Sequence, residues 1–464
     1  MGRMTAYEAF LARKAISDPS TGLVDVPALL EVMFPFQRDI TAWALRRGRA
    51  ALFAGTGLGK SLMELAWADA IGRETGQDIL HLTPLAVGAQ MVREAAKFSV
   101  NGVRHVHAQI DCAGGTNITN YQKLEHFDLE RFGAVILDES SILKSYDGHY
   151  RTRLIEGCER IPFRLAATAT PAPNDFMELG NHAEFLGVMS YTDMLATFFT
   201  HDGGETQKWR LKGHAENDFW KWMASWAVML RKPSDLGYAD AGYDLPTLHR
   251  HIHIVEAQKA PEGFLFAFHA ETMAERLAAR RETVDERVAK AIAISPTDQP
   301  AVWWCNLNTE SEALAKGIPG AVEVRGSDSE ADKERKLIDF SEGRIRTLIT
   351  KASICGWGMN WQHCRWTGFV GMNDSFEQVY QATRRFWRFG QTQEVHAHFI
   401  ASEREGNVLQ NQKRKEHDAD RMAAAMVMHM ADLSSQAVRG SVRDRPNYDP
   451  KQPIIIPSWL ERAA

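Results

Sequence analysis

A chain of 464 residues is longer than one compact core organises, so two or three domains are expected. Hydrophobic residues make up 44% and charged residues 24%, the balance of a globular protein, and no apolar run approaches the roughly 20 residues that a membrane-spanning helix needs. The formal net charge of −5 excludes a wholly basic nucleic-acid coat, though not a local basic groove.

The N-terminus, Met1-Gly-Arg-Met-Thr, shows no charged-then-apolar signal, and Ala6 stands where a myristoylation pattern asks for Ser or Thr, so a cytoplasmic protein is expected. Residues 1–33 read as a leader with an apolar stretch (Val24, Val26, Leu29, Leu30, Val32). From Phe34 to about Phe185, short apolar runs alternate with helical patterns. Strands are expected at Ala51–Ala54, Ile79–Thr83, Ala134–Asp138 and Arg164–Ala167, each followed by a turn or a helix start, as in a parallel sheet with crossover helices.

After about residue 186 the pattern changes. Phe219, Met223, Trp226 and Leu230 recur at helical spacing and predict an amphipathic helix whose tryptophans belong to the core. A linker around Lys232–Tyr238 follows, and then residues 249–255 alternate as a strand. Its three histidines, His249, His251 and His253, have no cysteine or carboxylate at ligand spacing and read as a solvated strand face, not a metal site. Met273, Leu277, Val284, Val288 and Ile292 predict one long helix. A second alternation has strands at Ala301–Cys305, Val322–Arg325, Thr347–Thr350, Gly368–Gly371 and Val395–Ile400. The tail from about 403 reads as a charged, then Met-rich helix ending in an apolar patch, Pro453–Leu460. The cysteines, 112, 158, 305, 355 and 364, form no CxxC pair and are expected as reduced, mostly buried thiols.

Two local patterns carry chemistry. The first is Ala54-Gly55-Thr56-Gly57-Leu58-Gly59-Lys60-Ser61, between a strand and a helix. Backbone N–H groups of such a loop wrap an anion, the lysine reaches outer phosphates, and the hydroxyl of Ser61 suits a metal. The general pattern GxxxxGK[ST] fails at Ala54, whereas AxxGxGK[ST] fits throughout. The second is Val135-Ile-Leu-Asp138-Glu139, an apolar strand ending in two acids. It suits Asp138 for Mg²⁺ and Glu139 for polarising an attacking water.

With these residues the chain resembles superfamily 2 helicases and translocases over about residues 34–400, in particular their Swi/Snf-like branch and its compact phage and prophage versions. Phe36-Gln37-Arg-Asp resembles the element before the phosphate loop, with Gln37 on adenine. Thr83-Pro84 resembles motif Ia, and Thr119-Asn120-Tyr121 falls at the next DNA-facing motif. Asp138-Glu139-Ser-Ser with Lys144 resembles the DExx box, and Thr168-Ala-Thr170-Pro171 with Asn174-Asp175 resembles motif III, which couples nucleotide state to nucleic-acid grip. Trp303–Cys305 sits at motif IV. Gly356-Trp-Gly358-Met-Asn360 resembles motif V, which faces both nucleotide and DNA. Gln381-Ala-Thr-Arg-Arg385-Phe-Trp-Arg388-Phe-Gly-Gln391 resembles motif VI, with Arg388 at the arginine finger and Arg385 at its partner.

The resemblance implies two tandem RecA-like domains, at 34–235 with a helical insertion after about 186 and at 236–402 with a preceding helical segment. A leader at 1–33 and a helical tail at 403–464 flank them. It implies ATP bound by Gln37, residues 55–61, Gly358 and Gln381. Mg²⁺ would sit on Ser61 and Asp138, catalysis would fall to Lys60, Asp138, Glu139, Arg385 and Arg388, and Thr168 and Thr170 would do the coupling. Nucleic acid, double-stranded DNA in the leading reading, would meet Thr83, Pro84, Asn120, Lys144 and Asn360. A strand-separating helicase and an ATP-gated clamp remain open alternatives. The sequence departs from the family at Ser141, where many relatives carry His, and it lacks the long insertions of chromatin remodellers, a histone-reading module and a nuclease signature. By resemblance alone, protein partners would belong to replication, recombination or defence.

Overall fold

The computed structural model describes residues 20–84, 87–144, 148–172, 175–201, 209–240, 242–256, 273–355, 360–371, 375–403 and 406–438. The first part of the chain supplies β1 (Arg49–Ala54), β2 (Ile79–Thr83), β3 (Val103–His105), β4 (Thr116–Asn120), β5 (Ala134–Asp138), β6 (Phe163–Thr168), β7 (Phe199–His201), β8 (Trp209–Leu211) and β9 (Ala227–Leu230). Among the described residues, β7 and β8 form an antiparallel hairpin, and the other seven form one sheet in the order β3-β4-β2-β5-β6-β1-β9. Every pairing in that sheet is parallel.

The second part supplies β10 (Leu248–Val255), β11 (Ala301–Cys305), β12 (Val322–Glu323), β13 (Thr347–Thr350), β14 (Trp366–Val370) and β15 (Val395–Ser402), in a parallel six-strand sheet ordered β10-β15-β14-β11-β13-β12. Two parallel sheets with helices on their faces are tandem RecA-like domains, the fold class expected.

Parallel sheets are covered on both faces, so most of their inner strands are apolar runs without alternation in polarity, and the alternation shows in which core each residue enters; the polar β4 and the alternating edge strand β10 depart from this. In β1, Ala51 and Phe53 enter one core while Ala50, Leu52 and Ala54 enter another. In β11, Val302 and Trp304 face one side and Ala301, Trp303 and Cys305 the other. Cys158, Cys305 and Cys364 are buried and Cys112 is partly exposed, and these four are free thiols. Among the described residues no helix is long and apolar enough to cross a membrane.

Three expectations change. The helix read through Leu230 stops at Trp226, and Ala227–Leu230 is β9, paired with Ala51–Ala54. All four residues of β9 are buried, and helical spacing does not distinguish a short, fully buried strand from one more helical turn. Trp220, Trp222 and Trp226 are core residues, as expected. The helix expected from Met273 to Ile292 is two helices, Met273–Glu282 and Val284–Ile294, broken at Thr283, whose hydroxyl bonds the Ala279 carbonyl. The β10 histidines are half-buried, not solvated, because β15 brings His396 and His398 into register with His249 and His251. His251 Nε2 lies 3.0 Å from His396 Nδ1 and His253 Nε2 3.1 Å from His398 Nδ1. Among the described residues no group of three or more His, Cys, Asp or Glu is arranged to hold a metal ion.

The tail helix, Gly406–Val438, leaves the second sheet and packs on the first. Met426 and Met430 are buried in its core, and His429 stacks on Trp220 at 5.2 Å. The apolar patch expected at 453–460 lies outside the described residues.

One buried ion pair anchors the second domain. The Arg287 guanidinium meets the Glu310 carboxylate with both side chains fully buried, and Glu310 Oε2 also accepts the N–H groups of Asn306 and Leu307. Glu310→Ala removes this carboxylate from a fully buried cation and is expected to cost about 3–5 kcal/mol. A urea-unfolding midpoint unchanged from wild type would contradict this.

Candidate functional site

Because each sheet is parallel, the C-terminal ends of its strands share one edge, and the loops that follow gather there. In the first sheet that edge carries the ends of β1, β2, β4, β5 and β6, at Ala54, Thr83, Asn120, Asp138 and Thr168. Except for the Phe36-Gln37 element, which lies on the helix Pro35–Arg47 before β1, the described residues of the motifs expected in this domain lie at or beyond one of them.

The loop after β1 runs from Gly55 to the helix Lys60–Thr75. Gly57 has φ 94° and Gly59 φ 81°, both in the left-handed region that L side chains avoid. Space enforces the same choice. A Cβ on Gly57 would lie 2.8 Å from the backbone nitrogen of Phe389, and one on Gly59 would lie 2.2 Å from Gln37 Nε2. Gln37 braces the loop, donating to the Leu58 carbonyl at 2.8 Å and accepting from Phe34 N–H at 2.9 Å. Gly55 is tied to β9 through the Leu230 carbonyl, and Lys60 Nζ donates to the Ala54 carbonyl at 3.1 Å. Ser61 is half-buried on the first turn of the helix. A loop of this shape presents N–H groups at a helix N-terminus to an anion, with an ammonium alongside.

The acids follow β5. Asp138 is buried, and burial, with Glu64 and Glu139 close by, pushes its carboxyl well above the usual range. Glu139 is half-buried with φ 55°, uncommon for a residue with a side chain, and its Oε2 accepts from Thr168 Oγ1 at 3.2 Å. Thr168 Oγ1 in turn accepts from Thr170 N–H at 3.1 Å. Behind the acids, burial raises the Glu64 carboxyl to about 8 and lowers the His81 imidazole to about 4, so both are neutral near pH 7. Their closest atoms are 3.2 Å apart, within ion-pair range but without hydrogen-bond geometry. Behind the box, His182 Nε2 lies 3.1 Å from Ser140 Oγ, so an imidazole from elsewhere in the chain reaches the segment that carries Ser141.

The strip beyond the helix Phe376–Thr383 comes from the second domain. Arg385 is buried, and Gln381 holds it through its carbonyl at 3.0 Å and its side-chain oxygen at 3.1 Å. Burial and the neighbouring Arg385 lower Arg388 to about 9, so it stays charged at neutral pH, and its Nε is buried without a hydrogen-bond partner. Arg384 turns away to lie between the rings of Tyr380 (5.1 Å) and Trp387 (4.3 Å). Gln391 bonds the carbonyls of Gln362 and Phe386 and serves the turn itself.

A cleft of about 340 Å³ brings the two domains' groups together. Gln37, Thr56, Gly57, Gly59, Lys60, Ser61, Asp138 and Glu139 line it from one side, and Asn360, Arg385, Arg388 and Phe389 from the other. Thr56 Oγ1, like Arg388 Nε, is buried without a partner, and a polar guest would complete both. A larger cleft, about 640 Å³, runs between the domains under the tail helix, but Lys60, the two acids, Arg385 and Arg388 do not line it. The donor set of the smaller cleft fits Mg²⁺: one carboxylate at Asp138 and one hydroxyl at Ser61 leave the remaining positions to water and phosphate oxygens, the usual habit of this cation.

Sequence reasoning did not single out several lining residues. Tyr243 stacks on Phe389 with ring centres 4.6 Å apart, and Phe34 meets Tyr243 edge-on at 5.6 Å, forming an aromatic wall across the domain boundary. Glu94 receives Gln90 Nε2 at 2.9 Å and Asn360 Nδ2 at 3.5 Å. Phe34 lies three residues before Gln37 and Phe389 inside the Gln381–Gln391 strip, a signal available beforehand, whereas Tyr243, beyond the Lys232–Tyr238 linker, and Glu94, on the helix Gly88–Lys97, carry none.

Of the residues expected at nucleic acid, Thr83 and Asn120 are brought together as register partners at the ends of β2 and β4. Thr83 and Asn120 are buried at their strand ends, Pro84 follows Thr83, and Lys144 is exposed beyond the acids. Asn360 lies in the cleft beside Glu94. Gly358 and Asn174 lie outside the described residues.

No family model matches the chain, and no curated protein does. Among solved structures it is similar to the SWI2/SNF2 ATPase core of Sulfolobus solfataricus in complex with dsDNA, with 15% identity and a TM-score of 0.41 over 91% of this chain and 99% of that one. A likeness that distant assigns no residue a role.

Proposed function

We propose that the chain is an ATP hydrolase of the superfamily 2 type that couples turnover to movement along nucleic acid, double-stranded DNA in the first instance. The observation that carries this reading is the shared cleft, where Lys60 and the Asp138–Glu139 pair of one domain face Arg385 and Arg388 of the other. Phosphoryl transfer spreads negative charge over oxygens that a single domain cannot fully contact, so a site divided in this way favours the closed arrangement while the outer phosphate is present. Loss of that phosphate removes the preference, and reopening supplies the step.

In this reading Gly55–Ser61 hold the phosphates, and the wall of Phe34, Tyr243 and Phe389 takes the base end beside Gln37. Glu139 orients and polarises the attacking water, and Thr168 holds its carboxylate. Arg388 meets the charge that develops on the outer phosphate while Gln381 keeps Arg385 in line. Asp138 and Ser61 would hold Mg²⁺, which would supply charge neutralisation for the phosphates. Thr83, Pro84, Asn120, Lys144 and Asn360 are the nucleic-acid contacts implied by the motifs. Contact with the phosphate backbone makes binding salt-sensitive and largely sequence-independent.

The test is ATP turnover with no nucleic acid, with double-stranded DNA, with single-stranded DNA and with RNA at matched salt. The reading expects the strongest stimulation from double-stranded DNA, and triplex displacement without opening of a forked duplex. Equal turnover in all four conditions would remove the coupling. Fork opening would favour strand separation, and stimulation without displacement would favour the clamp.

A further inference from the structure

Tyr121, so far only the last residue of the Thr119–Tyr121 motif, has no role in hydrolysis in the reading above, yet it touches the centre of that reading. It opens a short helical turn, Tyr121–His126, directly after β4. The ring is 3% exposed, and its hydroxyl donates to the backbone carbonyl of Asp138 at 2.7 Å. In the sheet β4 and β5 are not neighbours, because β2 lies between them. The phenol therefore reaches across the end of β2 to hold the end of β5. Burial, with Asp138 and Glu139 nearby, keeps this phenol protonated and so a donor.

The carbonyl it holds belongs to the peptide that enters Glu139. The φ angle of Glu139 is a rotation relative to that peptide plane, so fixing the carbonyl fixes the frame from which the Glu139 side chain departs. A left-handed φ of 55° at a glutamate is a strained state that persists only where the surroundings determine it. Two contacts do so here: the Tyr121 hydroxyl before the residue and the Thr168 hydroxyl on its carboxylate.

We propose that Tyr121 is a positioning residue for hydrolysis, whose hydroxyl locks the peptide plane from which Glu139 is aimed. This rests on the proposed role of Glu139. Tyr121→Phe removes one oxygen and keeps the buried ring. In the full-length chain on double-stranded DNA it should lower kcat about tenfold, the factor that one hydrogen bond of ordinary strength represents, with KM for ATP unchanged. A purely structural role would instead lower the thermal midpoint and leave kcat per folded molecule intact, and that result overturns the proposal. A kcat equal to wild type overturns it as well, and so does a rise in KM that accounts for the whole loss. Glu139→Gln measured alongside separates the two levels of the argument. If Glu139→Gln is inactive while Tyr121→Phe matches wild type, Tyr121 alone is misassigned. If Glu139→Gln turns over normally, the reading of the acid pair fails, and the role of Tyr121 fails with it.

Discussion

Glu139→Gln is expected to lower ATP turnover by about 10²–10⁴-fold, the range in which a positioned general base contributes, while ATP affinity is retained. The substitution keeps the size of the side chain, and an amide oxygen can still accept from Thr168 Oγ1, so the left-handed turn at Glu139 has no new reason to relax. What disappears is the carboxylate able to draw a proton from water. The phosphate-holding groups, Lys60 and the loop amides, are untouched. Nucleotide binding followed by fluorescence, beside single-turnover hydrolysis, separates the two effects. Unchanged turnover would mean that the acid after β5 is not the one that activates water.

Arg388→Ala is expected to lower turnover about 10³-fold or more, as loss of an arginine finger does. The physical case is made by the residue's surroundings. Its guanidinium is a cation in a half-buried cleft with one nitrogen unpartnered, and burial beside Arg385 already lowers its affinity for its proton. Among the described residues Glu94 is the one charge that acts in its favour, and a cation in such a place is stabilised further by an anion that arrives from outside the protein. Arg385, held by Gln381 at two points, is fixed and cannot swing to replace it. Normal hydrolysis by Arg388→Ala would place the strip's function elsewhere.

Much of this architecture is legible in the sequence wherever the controlling forces are local. Ile79–Thr83, Ala134–Asp138, Ala301–Cys305 and Thr347–Thr350 match their strands to the residue, because a strand buried on both faces is a compact apolar run between turn residues. The phosphate loop is legible because glycine is needed where φ is positive and where Phe389 and Gln37 approach the backbone. β4 is missed because its sequence, Thr-Asn-Ile-Thr-Asn, is polar although all five residues are buried, with its backbone paired to β2 and β3. The aromatic wall and the Glu94–Asn360 approach depend on how two domains meet, and no periodicity within either domain encodes that. The grip of Tyr121 on Asp138 spans a strand neither belongs to and is invisible in the same way.

The central claim is that Lys60 and Arg388 serve one nucleotide from opposite domains. The most direct test is the ratio of ATP to ADP affinity in a Glu139→Gln background that cannot turn over, with Arg388 intact and with Arg388→Ala added. Contact of the guanidinium with the outer phosphate predicts a preference for ATP that falls about 10- to 100-fold when Arg388 is removed, with ADP affinity unchanged, since a charge-assisted hydrogen bond of about 1.5–3 kcal/mol exists only in the ATP complex. An ATP-to-ADP ratio that does not depend on Arg388 would contradict a nucleotide site shared between the two domains.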